Sequence, residues 1–482
     1  MITKIKALKK VFVLVLLCPL FMFTAPPPAR DISPSVLLQF SVGTPIGSFR
    51  AVPVKLNNKN ETGILVVYSE HGDAGGPNPQ YFQFPKGTLS FVMFNSKGKQ
   101  LWRVNLPNNV IVDVNFCPVF PFDLDGDGAE EVWFVNNTDL YRPLASNKYV
   151  VEKLDPNTGK SLGSFKFPML TDKQPMGNLF RLFLMGGYDH DKPVLLTGQG
   201  TYAYGPMAVH AFNPDFSQRW RKEFKMGEKG ARGSHMSPMS DFNNDGVDEL
   251  MWGERCINVS DGSYLFVADY DVYTGHSDVI QPVLKRSENK WYLYTCRENG
   301  EQPRLVFFDD KGKRVWSDLT GHVDIGYVAT FGADGRMIAA ALEIDKKFVE
   351  GTELIRTNGR KYMYDLFTGK KIDPPFEDFI QAVPVDVNGD GIHELYAHGT
   401  LYTYDGKKIK LPGAGPIAHG SHFLDYPGEQ MITYNENGTI QVWGDKNAVD
   451  SDAAKKRYNH SFYKRNQKLT ANGVNVKNLG GI

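Results

Sequence analysis

The 482-residue sequence has no surplus of either charge, because Lys and Arg together number 54 and Asp and Glu also number 54. Nucleic-acid binding needs an excess of Lys and Arg to contact phosphates, so this balance argues against a nucleic-acid partner. Cysteine is scarce too, with only Cys18, Cys117, Cys256 and Cys296. Cys18 lies in a segment with the pattern of an export signal. An odd three therefore remain, and no disulfide framework is expected.

Long apolar runs are missing after the N-terminus, so we expect no transmembrane segment. The N-terminus has four lysines in its first ten residues, followed by an apolar run over residues 11–23. This is the pattern of a signal peptide. We expect residues 1–25 to be a signal peptide and residues 26–482 to be a single domain, secreted or periplasmic. Lipid attachment at Cys18 is less favoured, because lipoprotein signals prefer a small residue before the cysteine.

Helical periodicity is also lacking. Short apolar or aromatic runs alternate with turns of Gly, Asn and Asp, which tolerate the backbone angles of tight hairpins. Eight such signals lie between Gly98 and Gly438, at a mean spacing of about 49 residues. A repeat of this length with strands in each unit is typical of a β-propeller. The sequence predicts an all-β fold, a seven- or eight-bladed β-propeller, with two β-sandwiches as the alternative.

Three segments share the pattern Asp-x-Asp/Asn-x-Asp-Gly, and each runs into a predicted strand. Oxygen side chains at positions 1, 3 and 5 converge when the loop curls, and such an oxygen shell suits calcium. The predicted ligands are Asp123, Asp125, Asp127 and Glu131 in the first loop, Asp241, Asn243 and Asp245 in the second, and Asp386, Asn388 and Asp390 in the third. The loops resemble the calcium loops of FG-GAP propeller repeats, as in integrin α-chain heads. The alternative is a metal-free loop that folds through its own Asx turns.

A second group of metal-ligating residue types lies nearby in the sequence. His276 and Asp278 are two residues apart, so on a strand their side chains share one face. His235 precedes the second acidic loop, and Glu298 closes a later predicted strand. Imidazoles with carboxylates hold calcium, manganese or zinc, and a thiolate from Cys296 would favour zinc. The alternative is a buried, hydrogen-bonded His–Asp pair.

Ordered motifs over about residues 180–480 resemble those of β-propeller rhamnogalacturonan lyases. The motifs are Gly198-Gln199-Gly200-Thr201-Tyr202, Gly233-Ser234-His235, Gly275-His276-Ser277-Asp278 and the tail Arg457-Tyr458-Asn459-His460-Ser461-Phe462-Tyr463. The resemblance implies that His235, His276, Asp278 and Glu298 bind a metal ion near the substrate. Two motifs depart from the family, which has Gly-Asn-His and Gly-His-Gly-Asp. A compact exported propeller of this length also resembles the propeller-type ulvan lyases.

The resemblance implies cleavage of a uronic-acid polysaccharide by β-elimination, with ulvan preferred and rhamnogalacturonan second. In this reaction a cation neutralises the uronate carboxylate, a base takes the C5 proton and an acid protonates the leaving oxygen. The predicted catalytic residues are His190, His210, Tyr202 and Tyr204, the tyrosines being the candidate acids, and the predicted carboxylate clamps are Arg232 and Arg255.

Each of these residues has a simpler alternative role. His210 could be a core histidine, His190 a solvated loop residue, the tyrosines ordinary strand residues and the arginines partners in surface salt bridges. A non-catalytic FG-GAP carbohydrate-binding or adhesion propeller is the rival function, and it predicts metal loops without a pocket of His, Tyr and Arg. A quinone-dependent dehydrogenase propeller is disfavoured, because no repeated Trp-docking motif of that type is found.

Overall fold

A computed structural model describes residues 31–57, 59, 61–72, 87–107, 110–112, 114, 116–139, 148–170, 181–200, 205–350, 353–471 and 482. The predicted signal peptide, including Cys18, lies outside these residues, and so do Tyr202 and Tyr204. Among the described residues, no helix is both long and apolar enough to cross a bilayer.

Eight four-stranded antiparallel sheets follow one another along the chain and form an eight-bladed β-propeller. The all-β propeller prediction is confirmed, and the blade number is eight. The first strand in the chain is β1 (Pro34–Ser41). Blades 1 and 2 contain β2 (Ser48–Lys55), β3 (Thr62–Ser69), β4 (Ser90–Asn95), β5 (Gln100–Asn105), β6 (Val119–Phe122), β7 (Glu131–Asn137), β8 (Tyr149–Leu154) and β9 (Ser161–Lys166).

The middle of the chain forms blades 3 to 5. Blades 3 and 4 contain β10 (Leu182–Asp189), β11 (Lys192–Gly200), β12 (Met207–Phe212), β13 (Gln218–Phe224), β14 (Met239–Ser240), β15 (Glu249–Trp252), β16 (Arg255–Asn258) and β17 (Tyr264–Val267). Blade 5 contains β18 (Ser277–Lys285), β19 (Lys290–Arg297), β20 (Leu305–Phe308) and β21 (Arg314–Asp318).

Blade 6 differs from the others because a two-stranded hairpin is inserted between its second and third strands. It contains β22 (His322–Thr330), β23 (Met337–Ile344), the inserted hairpin β24 (Lys346–Glu350) and β25 (Glu353–Thr357), then β26 (Arg360–Asp365) and β27 (Lys371–Ile372). Blades 7 and 8 contain β28 (Val383–Val385), β29 (Glu394–Ala397), β30 (Thr400–Tyr402), β31 (Lys408–Lys410), β32 (Ile417–Ser421), β33 (Gln430–Tyr434) and β34 (Thr439–Asp445).

The ring is closed by β1, which pairs with β34 and becomes the fourth strand of blade 8. The register runs from Pro34 opposite Asp445 to Ser41 opposite Thr439. A blade contacts mainly its neighbours, so pairing the two ends of the chain removes the two open edges that an unclosed ring would expose.

A tryptophan contact between neighbouring blades recurs three times, which the sequence analysis missed. The indole N–H of Trp102, on the fourth strand of blade 1, donates to the Pro156 carbonyl of blade 2 at 2.8 Å. A Cβ on Gly159, which has a φ of +68°, would lie 2.7 Å from that indole, so glycine is required there for two reasons. Trp220 and Trp316 dock in the same way on blades 4 and 6.

After blade 8 the chain forms two short helices, α1 (Asp452–Asn459) and α2 (Ser461–Asn466), and a 3₁₀ turn, Gln467–Ala471. This tail packs against the buried first strands of several blades. The Asn466 side chain bonds both the N–H and the carbonyl of Met239, and the Lys468 ammonium reaches the Pro53 carbonyl at 2.8 Å. The tail therefore ties blades 1 and 4 together.

The antiparallel order of the blades defines two faces. The first strand of each blade is buried while the fourth is largely exposed, so first strands line the centre of the ring. We call the face at which these first strands begin the entry face. Loops between first and second strands, which include all three acidic loops, lie on the opposite, acidic-loop face.

Candidate functional site

The entry face brings His235, His276, Asp278 and Glu298 together. Their ligand-capable atoms all lie within 4.8 Å of one another. His235 comes just before β14, His276 and Asp278 stand at the start of β18, and Glu298 follows β19, whose end lies on the same face. These are the four residues that the resemblance implied as metal ligands.

The hydrogen bonds of His276 define which of its nitrogens faces the cluster. Its Nδ1 lies 2.6 Å from the Gly233 carbonyl oxygen, which can only accept, so Nδ1 carries the hydrogen. The other nitrogen, Nε2, then faces Asp278 Oδ1 at 3.0 Å, and it is the nitrogen that can bind a metal ion. This donor set therefore fits a metal ion.

His235 is held differently, by an arginine that the sequence analysis did not single out. Arg181 Nη1 donates to His235 Nδ1 at 2.7 Å, which leaves the imidazole hydrogen on Nε2, 2.9 Å from Asp278 Oδ1. Burial and then the Arg181 charge lower the pKa of His235 to about 3, so it is neutral at physiological pH. His235 can ligate a metal through Nε2 only when Arg181 turns away from Nδ1.

Asp278 is the central acceptor of this cluster. Burial alone would raise the pKa of Asp278, but the adjacent His235 and His276 outweigh it and hold the pKa well below its usual value. The carboxylate is therefore ionised and able to bind a cation.

A second group of ligand types shares Glu298. Glu298, His322 and Asp324 also have ligand-capable atoms within 4.8 Å of one another. The sequence analysis missed His322 and Asp324, although a signal was present. Gly321-His322-Val323-Asp324 repeats the Gly-His-x-Asp pattern of residues 275–278 at the start of the next first strand.

The two repeats also share a backbone irregularity. The pairing of β18 with β19 shifts register between Ser277 and Val279, and that of β22 with β23 shifts between Val323 and Ile325. The skipped residues are Asp278 and Asp324. A bulge leaves its extra residue unpaired in the strand ladder, and at both places this residue is the aspartate.

The hairpin inserted in blade 6 adds two cations to this second group. The Lys347 ammonium bonds Glu298 Oε1 and lies 3.3 Å from Asp324 Oδ1, and Arg356 Nε lies 2.6 Å from Asp324 Oδ2. Burial alone would lower the pKa of Lys347, but the charges of Glu298 and Asp324 outweigh it and raise the pKa above its usual value. Lys347 is therefore charged.

Cys296 is not part of the cluster. It is fully buried on β19, its Sγ lies 3.4 Å from the Tyr294 hydroxyl, and it belongs to none of the three metal-capable groups of the described residues. Burial raises the pKa of its thiol far above the usual value, so it stays protonated. The geometry therefore does not support Cys296 as a zinc ligand, and its contribution to a zinc site stays a prediction.

His190 and His210 are not brought together with the cluster or with each other. His190 lies in the turn after β10, on the acidic-loop face, where its side chain is 69% exposed and contacts Asp189. The eight residues of β10 separate that turn from the entry face. His210 is buried in the middle of β12, with Nδ1 at 3.3 Å from Gln218 Oε1. The geometry supports the simpler roles weighed for both residues.

Arg232 and Arg255 are buried and make internal hydrogen bonds. Arg232 donates to the carbonyls of Lys225 and Gly205. Arg255 donates to the carbonyls of Ala231 and Lys229 at 2.7 and 2.6 Å. With their guanidinium groups used in this way, the geometry does not support either residue as a clamp for a substrate carboxylate. Arg255 Nη1 also lies 3.8 Å from Glu228 Oε1, an ion pair with a partly exposed glutamate.

The first acidic loop has an open oxygen cluster. Carboxylate oxygens of Asp123, Asp125 and Asp127 lie within 4.8 Å of one another. Burial and then the nearby Asp125 raise the pKa of Glu131, at the ninth position of the loop, to about 7. Such crowding of carboxylates suits a bound cation.

The second and third loops differ in what surrounds them. In the second, Glu249 is fully buried and its Oε1 has no hydrogen-bond partner among the described residues, so Asp241, Asn243 and Asp245 have a further unsatisfied oxygen beside them. In the third loop, Arg457 of α1 already bonds Asp386 Oδ2 at 3.0 Å.

The second and third loops both make a bond within themselves. The Asn243 amide donates to Asp245 Oδ2 at 2.8 Å, and the Asn388 amide donates to Asp390 Oδ2 at 3.1 Å. Asp386 is completely buried, and its Oδ1 has no hydrogen-bond partner among the described residues. The positive charge of Arg457 is therefore what distinguishes the third loop.

A cavity of about 520 Å³ opens on the entry face next to the second group. Ile325 and Tyr327, which follow Asp324 on β22, form one wall. The other walls are mainly apolar, with His398 and Gln381 as a hydrogen-bonded polar pair at 2.9 Å. The volume is in the range of small-molecule and saccharide sites.

Fold and site define a class: an eight-bladed β-propeller with a metal-capable imidazole–carboxylate cluster on one face. No family model matches the chain. The chain is similar to two curated Bacillus subtilis (strain 168) proteins. Identity is 25% over 366 residues to the rhamnogalacturonan exolyase YesX, covering 67% of this chain and 56% of the relative. Identity is 26% over 396 residues to the rhamnogalacturonan endolyase YesW, covering 76% of this chain and 54% of the relative.

The chain thus spans little more than half the length of these relatives. Among solved structures, a rhamnogalacturonan lyase of Bacillus licheniformis superimposes with a TM-score of 0.70 at 16% identity, covering 92% of this chain and 82% of that one. The resemblance inferred from the sequence motifs is confirmed by the curated relatives, and the structural match supports the fold.

Proposed function

We propose that this protein is a polysaccharide lyase that cleaves rhamnogalacturonan, an acidic polysaccharide, by β-elimination. Both curated relatives are named as rhamnogalacturonan lyases, one an exolyase and one an endolyase. This favours rhamnogalacturonan over ulvan, which was the first preference from the sequence. The comparisons leave the mode of cleavage open, because the two relatives differ in it.

One observation carries the proposal. His235, His276, Asp278 and Glu298 come from separate blades and strands, yet they converge on one face of the ring. Buried imidazoles and carboxylates gathered this way are costly to desolvate and are typical of functional sites.

The chemistry of β-elimination matches the residue types present. A metal ion bound by this cluster would neutralise the uronate carboxylate and so acidify the adjacent C5 proton. His322 is the proposed base, because a neutral imidazole can accept that proton, and its Nδ1 has no hydrogen-bond partner among the described residues. The apolar cavity beside Asp324 is where we place the neighbouring neutral sugar.

Two further parts of the proposal concern stability and location. We propose that calcium occupies the first and second acidic loops, where Glu131 and Glu249 add a ninth-position carboxylate. The third loop has Glu394 at the same position, but there Arg457 already bonds Asp386. A role in stability follows, because these loops lie on the face away from the cluster. We also propose that the protein is exported, as its N-terminal pattern predicts.

The test is turnover of rhamnogalacturonan, ulvan and homogalacturonan in parallel. Elimination leaves a C4–C5 double bond conjugated with the carboxylate, which absorbs in the ultraviolet. We expect this absorbance to rise with rhamnogalacturonan, to vanish on chelation and to be lost in His276→Gln. Cys296→Ala is the matched control, because Cys296 is buried nearby but outside the cluster. If all three polymers bind and none is cleaved with metal supplied, the adhesion propeller is the better interpretation.

A further inference from the structure

The cluster on the entry face consists of two repeated halves that share Glu298. The first half-site is His276 with Asp278, and the second half-site is His322 with Asp324. Both are Gly-His-x-Asp sequences at the start of neighbouring first strands, and both place the aspartate at a bulge. Equivalent residues in equivalent backbone settings would be expected to bind equivalent cations.

The surroundings of the two half-sites are not equivalent. In the first, His276 Nε2 and Asp278 Oδ1 face each other at 3.0 Å. In the second, an ammonium is already in place, because Lys347 bonds Glu298 and Asp324. The other oxygen of Asp324 is taken by Arg356 at 2.6 Å.

The charges agree with this difference. Glu298 and Asp324 carry two negative charges, and Lys347 and Arg356 carry two positive charges within hydrogen-bonding distance. The second half-site is therefore neutral without a metal ion. A divalent ion there would have to displace Lys347 and would add uncompensated charge in a largely buried position.

Lys347 also comes from the hairpin that is inserted in blade 6. It lies on β24 of the inserted hairpin, the only two-stranded sheet among the described residues. The hairpin leaves blade 6 directly after β23, whose end is on the entry face beside β22. An insertion at this point brings a lysine to Asp324 of blade 6 and to the shared Glu298, which follows β19 of blade 5.

We propose that Lys347 is the resident cation of the second half-site, so that the centre combines one metal ion with one tethered ammonium. The ammonium then serves as the second positive group that meets the carboxylate of a bound uronate. The identity of that anion rests on the proposed function, whereas the single metal ion does not.

The first experiment counts metal ions and needs no substrate. Zinc bound after dialysis is measured for the full chain and five variants. Only differences between variant and wild type are compared, so that ions bound at the acidic loops cancel. We expect His276→Gln to lose one ion and His322→Gln to lose none. Lys347→Met should gain one ion, Lys347→Met/His322→Gln should lose that gain, and Lys347→Arg should keep the wild-type count.

Two results would overturn the proposal. Loss of an ion in His322→Gln would mean that the second half-site already binds metal. An unchanged count in a folded Lys347→Met protein would mean that the ammonium does not stand in for a metal ion. Thermal unfolding of each variant identifies any variant that fails to fold. If Lys347→Met is such a variant, the zinc counts of Lys347→Arg and His322→Gln, both expected to equal the wild-type count, still test the proposal.

The second experiment concerns the anion. Two proteins are compared by calorimetry: His322→Gln, which prevents turnover, and Lys347→Met/His322→Gln. Each is titrated with a galacturonate-containing oligosaccharide and with its methyl ester. Loss of one charge-assisted hydrogen bond predicts roughly 10- to 100-fold weaker binding of the acid. The ester should bind both proteins alike. Equal weakening for acid and ester would refute recognition of the carboxylate while leaving the metal count intact.

Discussion

Glu254 offers the sharpest test of how the fold holds the candidate site. Its side chain is completely buried and accepts hydrogen bonds from Arg297 Nε at 2.8 Å, Arg297 Nη2 at 2.5 Å and Ser277 Oγ at 3.0 Å. Ser277 directly precedes Asp278, and Arg297 directly precedes Glu298. Glu254 on blade 4 therefore fastens the two strands that carry those carboxylates.

Glu254→Ala leaves the buried Arg297 guanidinium with Asp269 as its remaining carboxylate partner, at 2.7 Å. Breaking a buried ion pair in this way costs about 3–5 kcal/mol. An unfolding entropy of about 2.1 cal/mol/K per residue over roughly 440 residues converts this into a Tm lower by about 3–5 °C. Because the backbone beside both ligands loosens, metal affinity should fall roughly 10- to 100-fold.

A double variant separates the two effects. Replacing a buried ion pair by apolar residues of similar size is often neutral for stability, so Glu254→Leu/Arg297→Met should regain most of the lost Tm. It should not regain metal affinity, because the link to Ser277 is still missing. Calorimetric unfolding and zinc titration are the assays. Wild-type metal affinity in Glu254→Ala would refute the positioning role, and an unchanged Tm would refute the stabilising one.

Two further predictions concern buried groups. Burial and then Lys468 lower the pKa of His419 to about 3, so the folded state binds its proton less readily than the unfolded chain, whose pKa is near 6.5. The stability that this neutral histidine contributes is present above pH 6.5 and is lost as pH falls, by about 2 kcal/mol at pH 5. The unfolding free energy of the wild type should therefore decline between pH 7 and 5, and His419→Gln should flatten that decline. An identical decline in both proteins would contradict this. Cys296→Ala should keep the wild-type zinc content, measured by elemental analysis, and lose about 1 kcal/mol of unfolding free energy. A zinc loss equal to that of His276→Gln would instead show that the thiol is a ligand.

The propeller was predictable because its signals are local. Turn residues such as Gly159 and Gly262 recur beside β-prone runs, and each hairpin needs only its own residues to form. The number of blades was not predictable in the same way. It depends on β1 pairing with β34, so that Ser41 lies opposite Thr439. No short-range pattern reports a contact across almost the whole chain.

The candidate site shows the same division. The spacing of His276 and Asp278 pointed to a shared face, and the resemblance added His235 and Glu298. The repeated motif at His322 was readable in the sequence but was overlooked. Lys347 was not readable, because nothing around it indicates that its hairpin turns towards Glu298.

Side-chain direction explains the remaining mismatches. His190 and His210 lie twenty positions apart, and this spacing cannot distinguish a turn on one face from the middle of a third strand. Arg232 and Arg255 lie near functional motifs, yet their guanidinium groups point inward to carbonyl oxygens. Burial depends on neighbouring blades, which residue spacing does not describe.

Short-range chemistry in the chain is enough to establish the strands, the hairpins, the acidic loops and the Gly-His-x-Asp motifs, because each depends on residues within about ten positions. Closure of the ring establishes everything that depends on distance: eight blades, two chemically different faces, and the meeting of Glu298 with two imidazole–carboxylate pairs. The physical reason is that a bulge or a turn is a local energy minimum. The position of one blade beside another depends instead on the packing of the whole ring.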